Sequence, residues 1–161
     1  MQKVGTIDFH VLGPVKAGAR PRVRFHKAKG DKPGFAQTYM PPEHQTYEGI
    51  LRTAAQQALG DREPLDGPLK LTMVVILPRP RSQSKREYER LGGWKTTRPD
   101  LDNYLKIVVD AINGVLCHDD AQIVRIDAAK HYASTPGGSG VWVRLGPTLP
   151  SWGSWRGSMW A

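Results

Sequence analysis

The sequence predicts an α+β domain, a mixed β-sheet with two main helices packed on it. Three observations carry this expectation. Gly5, Ile7, Phe9 and Val11 alternate with Thr6, Asp8 and His10, the period of a half-buried strand. Leu69 to Leu77 alternates at first and then turns wholly apolar, as an interior strand does. Leu101, Tyr104, Leu105, Val108, Val109, Ile112 and Leu116 fall at i, i+3, i+4, i+7, i+8, i+11 and i+15, one apolar stripe of a helix. A chain of 161 residues is long enough for one domain with a real core.

The first strand ends at Gly13-Pro14. In Arg20-Pro-Arg-Val-Arg24 the three arginines alternate, so in extended backbone they project from one side. That shape either grips successive phosphates with forked guanidinium groups or is the solvated face of an edge strand. His26 to Gln37 has no period, and its lysines and glycines read as a mobile basic loop. After Pro41-Pro42 a helix is expected, with Tyr47, Ile50, Leu51, Ala54, Ala58 and Leu59 inward and Gly60 as its stop. It carries no chemistry and reads as scaffold.

Asp61 to Pro68 is a turn-rich connector to the interior strand. Beyond it, Pro78 to Arg86 holds Arg79, Arg81, Lys85 and Arg86, a basic loop that continues through Gly92-Gly93-Trp94-Lys95. The apolar stripe then defines the central helix. Pro99 disfavours helix at Arg98, acid in the first turn suits the helix dipole, and Asn113-Gly114 stops it. Gln122 to Ala133 reads as a strand, Pro136 to Gly140 as a hairpin-like loop, and Val141 to Leu145 as the returning strand. Residues 1–145 are expected to form the folded domain, and 146–161, with Trp152, Trp155 and Trp160 among Gly and Ser, a disordered C-terminal tail.

Composition narrows the function. With 23 Lys+Arg against 15 Asp+Glu the formal net charge is +8, which points to a polyanion partner, nucleic acid first. Cys117 is the one cysteine, so neither an intrachain disulfide nor a Cys-based zinc site is available. A reduced, cytoplasmic setting is expected, with Cys117 a small buried hydrophobe. The chain has no apolar run of membrane-spanning length, and its N-terminus lacks the apolar region of a signal peptide.

Against this basic background the acids of the central helix need a reason. Asp100 and Asp102 stand at its start, Lys106 one turn on, and Asp119-Asp120 just beyond it. Each has an ordinary reading. Asp100 or Asp102 could cap the helix, and Asp102 with Lys106 could be an exposed pair contributing only ~0.3–0.5 kcal/mol. Asp119-Asp120 could be turn residues. Together they also fit a divalent-cation site, because carboxylate oxygens suit hard cations and hard cations suit phosphate chemistry.

Arg98-Pro-Asp-Leu-Asp-Asn-Tyr-Leu-Lys106, followed by Asp110-Ala-Ile-Asn-Gly114, Asp119-Asp-Ala-Gln-Ile-Val124 and Lys130, resembles the RusA family of Holliday junction resolvases, and Arg20-Pro-Arg22 resembles that family's basic N-terminal region. The resemblance spans roughly residues 5 to 145 and leaves out the tail and the stretch from Ser82 to Thr97. It implies a RusA-like nuclease domain, homodimeric and Mg²⁺-dependent with Mn²⁺ as a substitute, that cuts four-way DNA junctions by paired symmetric nicks in recombination and repair. It further implies catalytic and metal-binding roles for Asp100, Asp102 and Asp120, a catalytic role for Lys106 and a supporting metal role for Asp119. The expected DNA-binding residues are Arg20, Arg22, Arg24, Arg79, Arg81, Lys85 and Arg86, gripping phosphate backbone. Two alternatives stay open: a flap or fork nuclease of the same chemistry, and a basic DNA-binding module without catalysis.

Overall fold

The computed structural model describes residues 5–135 and 137–148. It is an α+β fold built on a four-stranded mixed sheet. Strand β1 (Ile7–Leu12) leads into β2 (Arg22–His26) and β3 (Phe35–Tyr39), then α1 (Pro42–Leu59) and β4 (Leu69–Leu77). Helices α2 (Lys85–Arg90) and α3 (Leu101–Ile112), a single 3₁₀ turn at Asp120–Gln122, β5 (Ile123–Tyr132) and β6 (Gly140–Pro147) complete it.

The sheet order is β1-β6-β4-β5. Only β4 and β5 run parallel, with Leu71 opposite Ile126 and Leu77 opposite Tyr132. A parallel pair needs a crossover, and α3 supplies it. The expected returning strand is present, but it does not form a hairpin with its predecessor. β6 crosses to the far side of β4 and slots antiparallel between β4 and β1. Val141, Val143 and Leu145, all buried, fill the middle of the sheet, a place closed to the polar-spotted β5.

One face of the sheet is the core. Leu69, Leu71, Met73, Val75 and Leu77 of β4 are buried on it, against Tyr47, Leu51 and Ala55 of α1 and Tyr104, Ile107, Val108, Ala111 and Ile112 of α3. The stripe on α3 is therefore centred on Ile107 and Ala111 rather than on Leu105 and Val109, which are only partly buried. A helix wedged between a sheet and a second helix buries a broader arc than one apolar row. On α1 the expected inner residue Ile50 is 47% exposed, and His44 is buried in its stead. Cys117 is fully buried, and burial raises its thiol pKa, with Asp120 and Asp119 adding to the effect.

Two stretches expected to be loops are ordered. Phe35–Tyr39 pairs with Arg22–His26 in a separate two-stranded ribbon, His26 opposite Phe35 and Arg22 opposite Tyr39. Neither face is buried, so β3 shows no hydrophobic alternation, and only the alternating arginines of β2 mark the ribbon. Within the basic loop, Ser84 accepts from the Glu87 backbone amide and starts α2, with Arg90 in its last turn. Sheet pairing of β6 runs to Pro147, and the Thr148 amide donates to the Pro68 carbonyl. The expected tail, with Trp152, Trp155 and Trp160, lies outside the described residues from position 149 onward.

Tyr47 illustrates how closely the α1–α3 seam is packed. Its hydroxyl is buried without a hydrogen-bond partner among the described residues, and burial together with nearby Tyr104 pushes its pKa up to about 12. Replacing Tyr47 by Phe removes a buried polar atom that returns nothing, so Tyr47→Phe should leave unfolding free energy unchanged or raised. Leu71→Ala, at a site with no exposure, should cost about 2–5 kcal/mol. Urea unfolding of both variants checks this; a loss of more than ~1 kcal/mol in Tyr47→Phe would mean that its hydroxyl has a partner.

Candidate active site

In a strand–helix–strand crossover the helix starts at the carboxyl ends of the parallel strands and finishes at their amino ends. That places the start of α3, and Asp100, beside the ends of β4 and β5. Lys130, near the end of β5, reaches the carbonyls of Thr97 and Pro99 at 2.9 and 2.7 Å. The loop from Gly93 to Pro99, which carries the cis Arg98–Pro99 peptide, is stitched to the same strand end. The Lys95 amide donates to the Lys130 carbonyl, the Tyr132 amide to the Gly93 carbonyl, and Trp94 stacks on His131 at 4.0 Å.

Asp100 occupies the N-cap position of α3 with extended backbone, yet its side chain makes no capping bond. Ser84 and Asp119, the N-caps of α2 and of the 3₁₀ turn, both cap with their side chains. Among the described residues, no hydrogen bond or ion pair occupies the carboxylates of Asp100, Asp102 or Asp120, and all three are exposed. The expected Asp102–Lys106 pair is not formed; Lys106 turns the other way, to Asp110 at 3.3 Å. Free, solvent-facing carboxylates two residues apart are hard oxygen donors in the form a divalent cation takes.

Asp119 has other work. Its carboxylate accepts from the Ala121 amide at 2.8 Å, while Gln122 bonds back to the Asp119 amide at 3.1 Å, a complete capping box. Gln122 also bonds the His118 amide and ties the turn to Asp66. The turn is thereby held at the amino end of β5, near Leu65, whose amide donates to the Leu116 carbonyl. Asp119 and Asp120 consequently lie past the far end of α3 from Asp100 and Asp102. The 12 residues of α3 span about 18 Å at a 1.5 Å rise. Among the described residues of one chain, no three His, Cys, Asp or Glu side chains gather into a group able to hold a metal ion.

The cations are distributed unevenly about this end. Gly18, two residues before Arg20, donates its amide to the Asn103 carbonyl of α3 at 2.8 Å. The buried His44 ring accepts from the Ala19 amide through Nδ1 at 3.0 Å. The segment carrying Arg20 is thus pinned to the first turn of α3, beside Asp100 and Asp102. Arg22 and Arg24 follow on β2, exposed, with the Arg24 guanidinium 5.2 Å from the Tyr39 ring centre. The other face of this ribbon is apolar and open, Phe25 being 78% exposed. Arg79 and Arg81 leave the carboxyl end of β4, with Arg79 5.3 Å from the Tyr88 ring centre. Lys85 pairs with Glu89 at 3.8 Å, and Arg86 is exposed on α2. Lys95 and the Gly18–Asn103 and Ala19–His44 contacts carried no signal in the sequence, because backbone groups, which have no residue signature, make one side of each.

Exposed carboxylates at the carboxyl end of a parallel pair, approached by arginine-bearing segments, suit a protein that works on phosphodiesters. Comparison with known proteins makes this specific. The family model for endodeoxyribonuclease RusA matches residues 13–144, and the chain belongs to that family. It is an endodeoxyribonuclease of the Holliday junction resolvase type, acting on branched DNA. It is also 30% identical over 135 residues to the uncharacterized protein YqaN of Bacillus subtilis (strain 168), covering 81% of this chain and 90% of that one. Among the described residues no helix is long and apolar enough to cross a membrane.

A Cβ at Gly18 would stand 2.8 Å from the Asn103 carbonyl oxygen, a helix backbone atom that cannot step aside. Gly18→Ala should therefore lift the Arg20 segment from α3. The expected result is a loss of junction affinity on the order of tenfold, ~1.4 kcal/mol, with cooperative unfolding retained. Electrophoretic mobility shift in EDTA measures it, and unchanged affinity would remove this segment from the DNA interface.

Proposed function

We propose that this protein is a Mg²⁺-dependent, structure-selective endonuclease that resolves four-way DNA junctions by paired symmetric nicks, as a homodimer, in DNA recombination and repair. The observation that carries the reading is the pair of uncommitted carboxylates, Asp100 and Asp102, at the start of α3 in a chain of the RusA family. Asp100, Asp102 and Asp120 would hold the metal, and Mn²⁺ would substitute for Mg²⁺; all three are exposed, and among the described residues nothing bonds their carboxylates. Bound there, the metal supplies Lewis-acid polarisation of the scissile phosphodiester and a nucleophilic water. Lys106, one turn past Asp102, steadies charge on the phosphate, and Asp119 supports Asp120 by capping its turn. Arg20, Arg22, Arg24, Arg79, Arg81, Lys85 and Arg86 hold the phosphate backbone without reading sequence. The nuclease domain expected to end at 145 runs on through the last residues of β6, with the tail beginning after Thr148, and a reduced cytoplasmic setting suits the lone buried Cys117.

The separation of the acids favours a dimer. β5 is an edge strand, and its outer side is bonded to Gly93–Lys95 only at Lys130–Tyr132. From Ile123 to Ala129 that side takes no strand partner among the described residues, and Val124 and Ile126 of this stretch are 63% and 42% exposed. A free strand edge invites pairing. Antiparallel pairing with the β5 of a second copy about a two-fold axis would bring each chain's Asp120 to the other chain's Lys130 and Asp100 end. Each copy then completes the other's site. Two such sites related by symmetry suit two strands of like polarity.

The experiment is cleavage of a labelled synthetic four-way junction beside linear duplex, flap and fork controls, with Mg²⁺ and with EDTA. Paired nicks on the junction alone, abolished by EDTA, are expected; equal cutting of flaps keeps the chemistry and discards the substrate. Asp100→Asn, Asp102→Asn and Asp120→Asn should each lower cleavage by a factor of at least ~10² while junction binding persists. Mixing Asp102→Asn with Asp120→Asn leaves one shared site intact per mixed dimer, so the mixture should regain single, unpaired nicks. A mixture as inactive as its parts would discard the shared site. Binding in EDTA should weaken by ~0.9 log unit per neutralised phosphate per log unit of salt.

A further inference from the structure

Thr97, Arg98 and Pro99 immediately precede Asp100, and their consecutive backbone carbonyls all face lysine ammonium groups. Lys95 Nζ donates to the Thr97 carbonyl at 3.0 Å, the Thr97 hydroxyl at 2.8 Å and the Arg98 carbonyl at 2.6 Å. Lys130 Nζ donates to the Thr97 carbonyl at 2.9 Å and the Pro99 carbonyl at 2.7 Å. The Thr97 carbonyl is shared between them. Its hydroxyl lies 3.1 Å from the Tyr132 hydroxyl, and Lys95 Nζ sits 5.5 Å from the Tyr132 ring centre.

Neither lysine has a carboxylate partner among the described residues, although Lys95 is only 9% exposed. Removing an ammonium from water without a counter-charge is unfavourable unless its donors are satisfied. Here loop carbonyls satisfy them. For stability alone, a neutral side chain would hold such a turn at less cost. A double ammonium clamp instead fixes, from two different segments, the carbonyls that set the direction of the chain into α3. Residues behind a metal ligand that lock its orientation are typically worth 10–100-fold in metal affinity or activity.

We propose that Lys95 and Lys130 are positioning residues for Asp100 and Asp102. They clamp the Thr97–Pro99 backbone so that both carboxylates stand ready for the divalent cation, without touching cation or DNA themselves. The inference rests on the nuclease reading above and assigns roles to residues which that reading left out.

The test uses the full-length protein and variants Lys130→Met, Lys95→Met and Lys130→Arg. Mn²⁺ binding is measured by isothermal titration calorimetry, and the Mg²⁺ concentration for half-maximal junction cleavage is measured alongside. Lys130→Met should bind Mn²⁺ about tenfold more weakly and need about tenfold more Mg²⁺, with junction affinity in EDTA and cooperative unfolding retained. Lys130→Arg, which keeps forked donors, should recover most of the loss. Lys95→Met should shift the metal requirement in the same direction. A metal requirement unchanged in Lys130→Met overturns the proposal. A lowered one does so too, since the lysine would then be a competing charge. Should Lys95→Met fail to fold, Lys130→Met decides alone. Wild-type protein that neither binds Mn²⁺ nor cuts branched DNA removes the nuclease reading, and the positioning role falls with it.

Discussion

Everything at the candidate site depends on the packing of α3 across the parallel pair β4 and β5. Parallel strands cannot be joined by a tight turn, so the chain between them must cross the sheet, and the apolar arc of α3 holds that crossover to the core. The direction of the helix is then no longer free. Its amino end meets the carboxyl ends of the strands, where Lys130 and the Gly93–Pro99 loop stand, and its carboxyl end meets Leu65 and the Asp119 turn. One helix thus sets where the exposed acids project, and also keeps the two groups of acids apart within one chain.

The charges follow a consistent division of labour. Lys95 and Lys130 spend their donors inward on backbone carbonyls, Lys70 on Asp127 and Lys106 on Asp110. The hydrogen bond from Lys70 keeps the Asp127 carboxyl below the usual carboxylate range. The arginines of the β2–β3 ribbon and of the stretch after β4 face solvent, Arg24 lying over the Tyr39 ring and Arg79 over the Tyr88 ring. A DNA backbone brought to this end of the sheet meets guanidinium groups that no internal acid has neutralised. Asp100 and Asp102 stand exposed at this same end, two like charges two residues apart whose mutual repulsion a divalent cation would relieve.

Much of the scaffold was legible from local pattern. β4 occupies the span its apolar run marked, and α3 begins after Pro99 and ends at Asn113-Gly114, where Gly114 adopts a positive φ. α1 stops at Gly60 as its turn residue required. Each is written in side-chain period and turn chemistry within a dozen neighbouring residues. Of the β2–β3 ribbon, β2 was legible in its alternating arginines, while β3 was not, since with both faces open it has no buried side to force an alternation. Nor was α2, whose six residues include no buried one.

By itself the sequence determined the α+β class, the basic character, the span of the main elements and the family signature around Asp100, Asp102, Lys106 and Asp120. All of these reside in residue identity and short-range spacing. Only the tertiary structure decided that β6 lies between β1 and β4, that Asp119 caps while Asp100 does not, and that Asp120 stands across α3 from Asp100 and Asp102. It also decided that Lys95 and Lys130 converge on one loop and that Gly18 rests on Asn103. Apart from the local cap at Asp119, each of those facts is a meeting of segments far apart in the chain, fixed by strand pairing and by the course of the crossover helix. No local period records such meetings.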